Sequence, residues 1–100
     1  MADALLSIQI LPHTPGGESV IPYVDRAIDI IKASELPYRV APLETTIEGE
    51  LGRLLDIVKT MNEAMTEMGC PSVISQIKIY YNPQDGASMD RLLEKYPDGR

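Results

Sequence analysis

Residues 38–50 read YRVAPLETTIEGE, and how this stretch divides decides the fold. Its β-branched residues, Val40, Thr45, Thr46 and Ile47, and its turn-forming Pro42 make a helix unsuitable. The spacing predicts one strand over 38–43, a tight connection near Leu43–Thr45, and a short strand over Thr46–Glu48. Pro42 cannot donate to a strand ladder, so it belongs at a sheet edge or a bulge.

On both sides of this pair the period changes to that of a helix. Downstream, ELGRLLDIVKTMNEAMTEMG (50–69) carries Leu51, Leu54, Leu55, Val58, Met61, Met65 and Met68 at helical spacing, and Gly69 suits the residue after a helix end. Upstream, ESVIPYVDRAIDIIKASELP (18–37) sets Val20, Val24, Ala27, Ile28 and Ile31 in an apolar stripe. Ser19 is a candidate N-cap, Pro22 fits a first turn, and Pro37 stops the helix by about Glu35. Further out, ALLSIQIL (4–11) and SVISQIKIYY (72–81) alternate as strands. PHTPGG (12–17) and NPQDG (82–86) are turn-forming loops, and Ser88 opens a short last helix over Met89, Leu92, Leu93 and Tyr96.

The order is strand, helix, strand, strand, helix, strand, within one domain over residues 1–100. Two helices among four strands bury their stripes together on one face of an antiparallel sheet. This predicts an α+β, ferredoxin-like βαββαβ fold with a short C-terminal helix. Leu6, Ile8 and Ile10 then face the helices with Val73, Ile77 and Ile79. The other face carries Leu5, Ser7, Gln9 and Leu11 from the first strand and Ile74, Gln76, Lys78 and Tyr80 from the last. Parity adds Glu44, Thr46 and Glu48 if Ile47 points to the core. A face so evenly mixed suggests that a second sheet packs on it, and its polar groups then need partners, which a small polar ligand can supply.

Composition narrows the class of partner. The chain has nine Lys and Arg against 15 Asp and Glu, a net charge of −6. That balance disfavours nucleic acid and anionic membrane surfaces. Cys70 is the single cysteine, so no internal disulfide forms, and no apolar run approaches a membrane span. The chain reads as cytoplasmic. His13, the lone histidine, has no companion ligands nearby in sequence, and no metal site is expected. PGGES (15–19) lacks the ending of a phosphate loop. No catalytic residue stands out.

Glu48 and Glu50 have two readings. Either they complement the dipole of the second helix, with Gly49 relaxing the bend, or Glu48 accepts hydrogen bonds from an amino-heterocycle while Thr45 or Thr46 adds a hydroxyl. Gln9, Gln76 and Tyr80, on the same sheet face, are further candidate contacts. Tyr80, or Tyr23 beside Pro22, is placed to lie against a ring.

PLETTIEGE, together with YVDRAIDIIKASELPY (23–38) and the IKI of the last strand, resembles the YkoF-like thiamine-binding family, also called UPF0045. The resemblance runs from about residue 4 to residue 93. It implies a ferredoxin-like fold assembled as a homodimer or homotetramer. It also implies non-catalytic binding of thiamine or its hydroxymethylpyrimidine half at or near subunit contacts, with no cofactor required and with Thr45, Thr46 and Glu48 in the matching motif. The chain departs from the family pattern at Asn62–Glu63 and in YYNPQDG (80–86). Two alternatives stand beside it. One is a small ferredoxin-like enzyme of isomerase or monooxygenase type using His13, Glu48 or Tyr80; the other is a purely self-associating structural module.

Overall fold

The computed structural model describes residues 2–96. In chain order the elements are β1 (Ala4–His13), α1 (Ile21–Ala33), β2 (Tyr38–Val40), β3 (Thr45–Gly49), α2 (Leu51–Glu67), β4 (Ser72–Tyr81) and α3 (Met89–Leu92). The strands form one sheet in the order β2–β3–β1–β4, with every neighbouring pair antiparallel. This is the ferredoxin-like arrangement, with α1 and α2 on one face.

Element ends differ from the sequence reading for local reasons. β1 runs on through Pro12 and His13, which pair with Val73 and Ser72. The Asn82 N–H donates to Asp3 O at 2.8 Å, which fixes the alternation of the β1–β4 ladder. Odd-numbered residues of β1 bond to β4, and even-numbered ones point their backbone groups the other way. The missing N–H of Pro12 therefore faces away from β4, beyond the last β3 partner, and costs nothing. β2 stops at Val40 because residues 41–44 form a turn closed by the Ala41 N–H on Glu44 O at 3.0 Å. β3 accordingly begins at Thr45.

At the start of α1, Ser19 Oγ accepts the Ile21 N–H at 3.2 Å, and Pro22 lies in the first turn. Beyond its last turn Glu35 takes a φ of 62°, a left-handed conformation that costs a side-chain-bearing residue energy. α2 is capped from a distance: Asp3 Oδ1 accepts the Leu51 N–H at 3.0 Å. It ends on Gly69, with φ 98°, as the sequence predicts. Gly49 serves packing more than bending, since a Cβ there would meet Leu36 Cδ1 at 3.0 Å and Leu54 Cδ2 at 3.3 Å.

The core lies between sheet and helices, on Leu6, Ile8 and Ile47 against Ala27, Ile31, Leu54, Met61 and Met65, with Cys70 buried at its edge. The buried side of α2 is rotated from the expected stripe. Ile57 and Ala64 are inside, whereas Leu55 and Met68 are exposed. The apolar band of α2 is wider than one contact face, and the flank toward α1 and the sheet is the one covered.

The second sheet face holds the residues that parity assigned to it, but one end of it is not bare. After β4 the chain turns back, and Ala87 and Met89 pack on Leu5, leaving it 8% exposed. The Ala87 N–H donates to Ala2 O at 3.0 Å. α3 is capped by Ser88, whose Oγ accepts the Arg91 N–H at 3.3 Å.

Candidate functional site

Strand register lines up four polar residues in one row across the open face. Arg39 of β2 lies opposite Thr46 of β3, Thr46 opposite Ser7 of β1, and Ser7 opposite Lys78 of β4. At the centre of the row Ser7 Oγ and Thr46 Oγ1 share a hydrogen bond of 2.8 Å. Each hydroxyl retains capacity to donate or accept outward. Lys78 Nζ leans to Glu44 Oε1 at 3.4 Å.

The row borders two shallow hollows on its Leu5 side, which share Leu5 and Thr46 in their floors. One, of about 210 Å³, continues over Ser7 to Lys78 and Tyr80. The other, of about 180 Å³, runs between Arg39 and the α3 side chains Met89, Leu92 and Leu93. Leu5, held down by the α3 segment, supplies an apolar floor, and the hydroxyl pair supplies the polar one. Such a mixture suits a small flat heterocycle.

The sequence-predicted site residues separate into groups. Thr46, Glu48, Gln9, Gln76 and Tyr80 share the open face. Gln9 and Gln76 lie directly opposite each other, one step beyond the Ser7–Lys78 pair on that face, and Leu5 lies opposite both Glu48 and Tyr80. Tyr80 Oη accepts from Asn82 Nδ2 at 3.1 Å. Thr45, however, is buried on the helix side, as strand alternation requires of a neighbour of Thr46. It borders a separate apolar notch of about 300 Å³ between the end of β1, α1 and the 41–44 turn. One small ligand cannot touch both threonine side chains.

Glu48 is not part of the first turn of α2. Its Oε1 accepts the Met89 N–H at 2.8 Å, so it complements α3 instead. Glu50 is the residue that precedes α2, and its side chain makes no cap bond. Tyr23 also departs from the sequence reading. Its ring is buried with the core, and its hydroxyl donates to Glu18 Oε1 at 2.6 Å. That bond holds the Glu18 carboxyl below the usual range and pushes the Tyr23 hydroxyl up to about 12. Asn62 ties α2 to β4, accepting from Ser75 Oγ at 2.9 Å.

His13, Glu48 and Tyr80 do not converge. His13 pairs with Ser72 at one end of β1, while Glu48 and Tyr80 flank Leu5 near the other. At about 3.3 Å per residue, the eight positions between them span about 26 Å. Among the described residues no group of His, Cys, Asp and Glu is placed to hold a metal ion, and no helix is long and apolar enough to cross a membrane.

Arg39 and Ser7 enter the candidate site only through the strand pairing. Ser7 was legible as a member of the open face. Arg39 was not, because nothing in a three-residue strand shows which side its middle residue takes until its pairing is known.

Residues 6–97 match the family model described as thiamine-binding protein. The chain belongs to the thiamine-binding protein family. A UPF0045 protein of Clostridium perfringens is 38% identical over 91 residues, covering 91% of this chain and 94% of the relative. Among solved structures, a Bacillus cereus domain of unknown function, DUF77, superposes with a TM-score of 0.90 at 37% identity, over 97% of this chain and 92% of that one. A Thermotoga maritima protein with a suggested role in thiamine biosynthesis or salvage superposes with a TM-score of 0.82 at 28% identity, over 94% and 98% of the two chains. The family match takes in every element from β1 through α3 except the first two residues of β1.

Proposed function

We propose that this chain is a non-catalytic binding protein for thiamine or its hydroxymethylpyrimidine half, taken up on the open sheet face as part of a cytoplasmic homo-oligomer. The observation that carries this reading is the Ser7–Thr46 hydroxyl pair beside the apolar floor of Leu5, in a chain of the thiamine-binding family. A pyrimidine ring presents acceptor nitrogens and an exocyclic amine. The outward capacity of the two hydroxyls and the paired amides of Gln9 and Gln76 can meet both kinds of group. Glu48 has one oxygen on Met89, and its other oxygen suits the amine. Tyr80 offers a ring face to a thiazolium, an interaction worth about 0.5–2 kcal/mol. Self-association is supported by the apolar residues that α3 leaves uncovered on this face, Leu11 and Ile74.

Calorimetric titration with thiamine and with hydroxymethylpyrimidine tests the ligand. Saturable heat with either is expected, weakened at least tenfold in Thr46→Val, which keeps the shape of the side chain. Absence of heat with both would overturn the ligand assignment.

A further inference from the structure

We infer that the open face takes its ligand as a phosphate monoester, with the phosphoryl group held across the row of Arg39, Thr46, Ser7 and Lys78 and the ring over Leu5. The inference rests on the reading of this face as the binding surface and adds to it the chemical form of the ligand.

Cations stand at both ends of the row and hydroxyls at its centre. Strand spacings of about 4.8 Å put the outer Cα atoms about 14 Å apart, so long side chains leaning inward from both ends meet over the hydroxyl pair. Lys78 already leans inward, across β1 to Glu44. With the Lys78 side chain 78% exposed, that ion pair is loosely held. A phosphoryl group, with nearly two charges at neutral pH, is the stronger partner. Arg39 is exposed, and Lys78–Glu44 is the one ion pair among the described residues, so no carboxylate there engages the Arg39 guanidinium. Within the Ser7–Thr46 pair one hydroxyl donates to the other, which leaves one O–H to donate outward. Guanidinium fork, ammonium and hydroxyl together supply donors for the three phosphoryl oxygens.

The rest of the face sorts by charge. Two residues along each strand, Glu48, Leu5 and Tyr80 form a second row, about 7 Å from the first at about 3.3 Å per residue. This second row offers a carboxylate, an apolar floor and an aromatic face, which suit an amino-heterocycle or a cationic ring. The hollow of about 210 Å³ joins the two rows, because Leu5 and Tyr80 line it together with Ser7, Thr46 and Lys78. A molecule lying in it has its ring against Leu5 and its far end on the cationic row. Thiamine and hydroxymethylpyrimidine each carry a primary hydroxyl, the group through which such a ligand forms a phosphate ester. Glu44 and Glu48, the carboxylates that strand parity places on this face, engage Lys78 and the Met89 N–H. The net charge of −6 opposes an anion at long range, where physiological salt screens it beyond about 8 Å.

The test is calorimetric titration of the full chain with thiamine monophosphate, thiamine and inorganic phosphate in turn. The monophosphate should bind at least tenfold more tightly than thiamine, and its affinity should fall more steeply with added salt. Arg39→Gln and Lys78→Gln keep a polar side chain and remove its charge, and each should bring the ratio between the two ligands toward one. Inorganic phosphate should bind far more weakly than the ester. Equal affinity for thiamine and its monophosphate would overturn the inference and leave the binding reading of the face standing. So would a preference for the ester that survives in both variants, since the phosphoryl group would then lie elsewhere. Inorganic phosphate bound as tightly as the ester would overturn it too, in favour of a free-anion site. Heat with the monophosphate alone, lost in the variants, would uphold it, and heat with none of the three would overturn it together with the reading beneath it. Should a variant fail to fold, the salt dependence of the wild type decides.

Discussion

Replacing Glu48 by alanine should loosen the C-terminal segment without unfolding the rest. Glu48 Oε1 accepts the Met89 N–H at 2.8 Å, the one side-chain bond between the sheet and the start of α3 among the described residues. A hydrogen bond to a charged group contributes about 1.5–3 kcal/mol, and this one is only half-buried, so about 1.5 kcal/mol is expected. The effect falls on local opening. Met89 and Ala87 pack on Leu5 in a small cluster separate from the main core, which rests on Leu6, Ile47, Leu54 and Met61. About 1.4 kcal/mol is a factor of ten, so the Met89 amide should exchange about tenfold faster in Glu48→Ala, with the Ala87 amide following. Amides in the middle of α2 should be unchanged. Glu48→Gln keeps an acceptor and loses the charge, so it should show about half the effect in free energy. The measurement is native-state hydrogen exchange followed by NMR. Unchanged exchange at Met89 in the alanine variant would refute the role assigned to this carboxylate, and loss of protection throughout α2 would refute the separation of the two clusters.

Three other outcomes are expected. Glu35→Gly should raise stability by about 1 kcal/mol, because φ 62° penalises a side chain there; a lower denaturation midpoint would contradict this. The raised Tyr23 hydroxyl contributes stability below its unfolded value near 10, lost as the pH climbs through about 12. Wild-type stability should therefore fall across that window more steeply than that of Tyr23→Phe, and parallel profiles would count against the Glu18 bond. Asp3→Ala should cost about 1 kcal/mol by freeing the Leu51 N–H at the start of α2, read as a shift in urea midpoint at constant slope.

Most of the architecture could be read from local pattern. The helical periods of α1 and α2, the alternation of β1 and β4, and the proline-punctuated stretch between them permit few other chain orders. Strand parity also placed Ser7, Gln9, Thr46, Gln76 and Tyr80 on one face, because a period of two leaves only two choices. The misses share a different cause, since each turns on contact between residues distant in sequence. One of the two readings of Glu48 set it against the helix it precedes, but it bonds to residue 89. The flank of α2 that is buried, with Ile57 and Ala64 rather than Leu55 and Met68, depends on where α1 and the sheet lie. The covered end of the open face required knowing that the chain after β4 doubles back onto Leu5. Thr45 and Thr46 are adjacent in the motif, and that adjacency is what sends their side chains to opposite sides of the sheet.

Residues 2 and 3 hold together parts of the molecule that lie far from them along the chain. Ala2 O takes the amide of Ala87, Asp3 O takes that of Asn82, and the Asp3 carboxylate takes that of Leu51. A truncation to Ala4, which on paper trims a short leader before the first strand, would untie a knot joining the second helix, the exit of the last strand and the returning segment. Changes that shorten the chain here or fuse it rigidly would accordingly disturb the open sheet face at its Leu5 end.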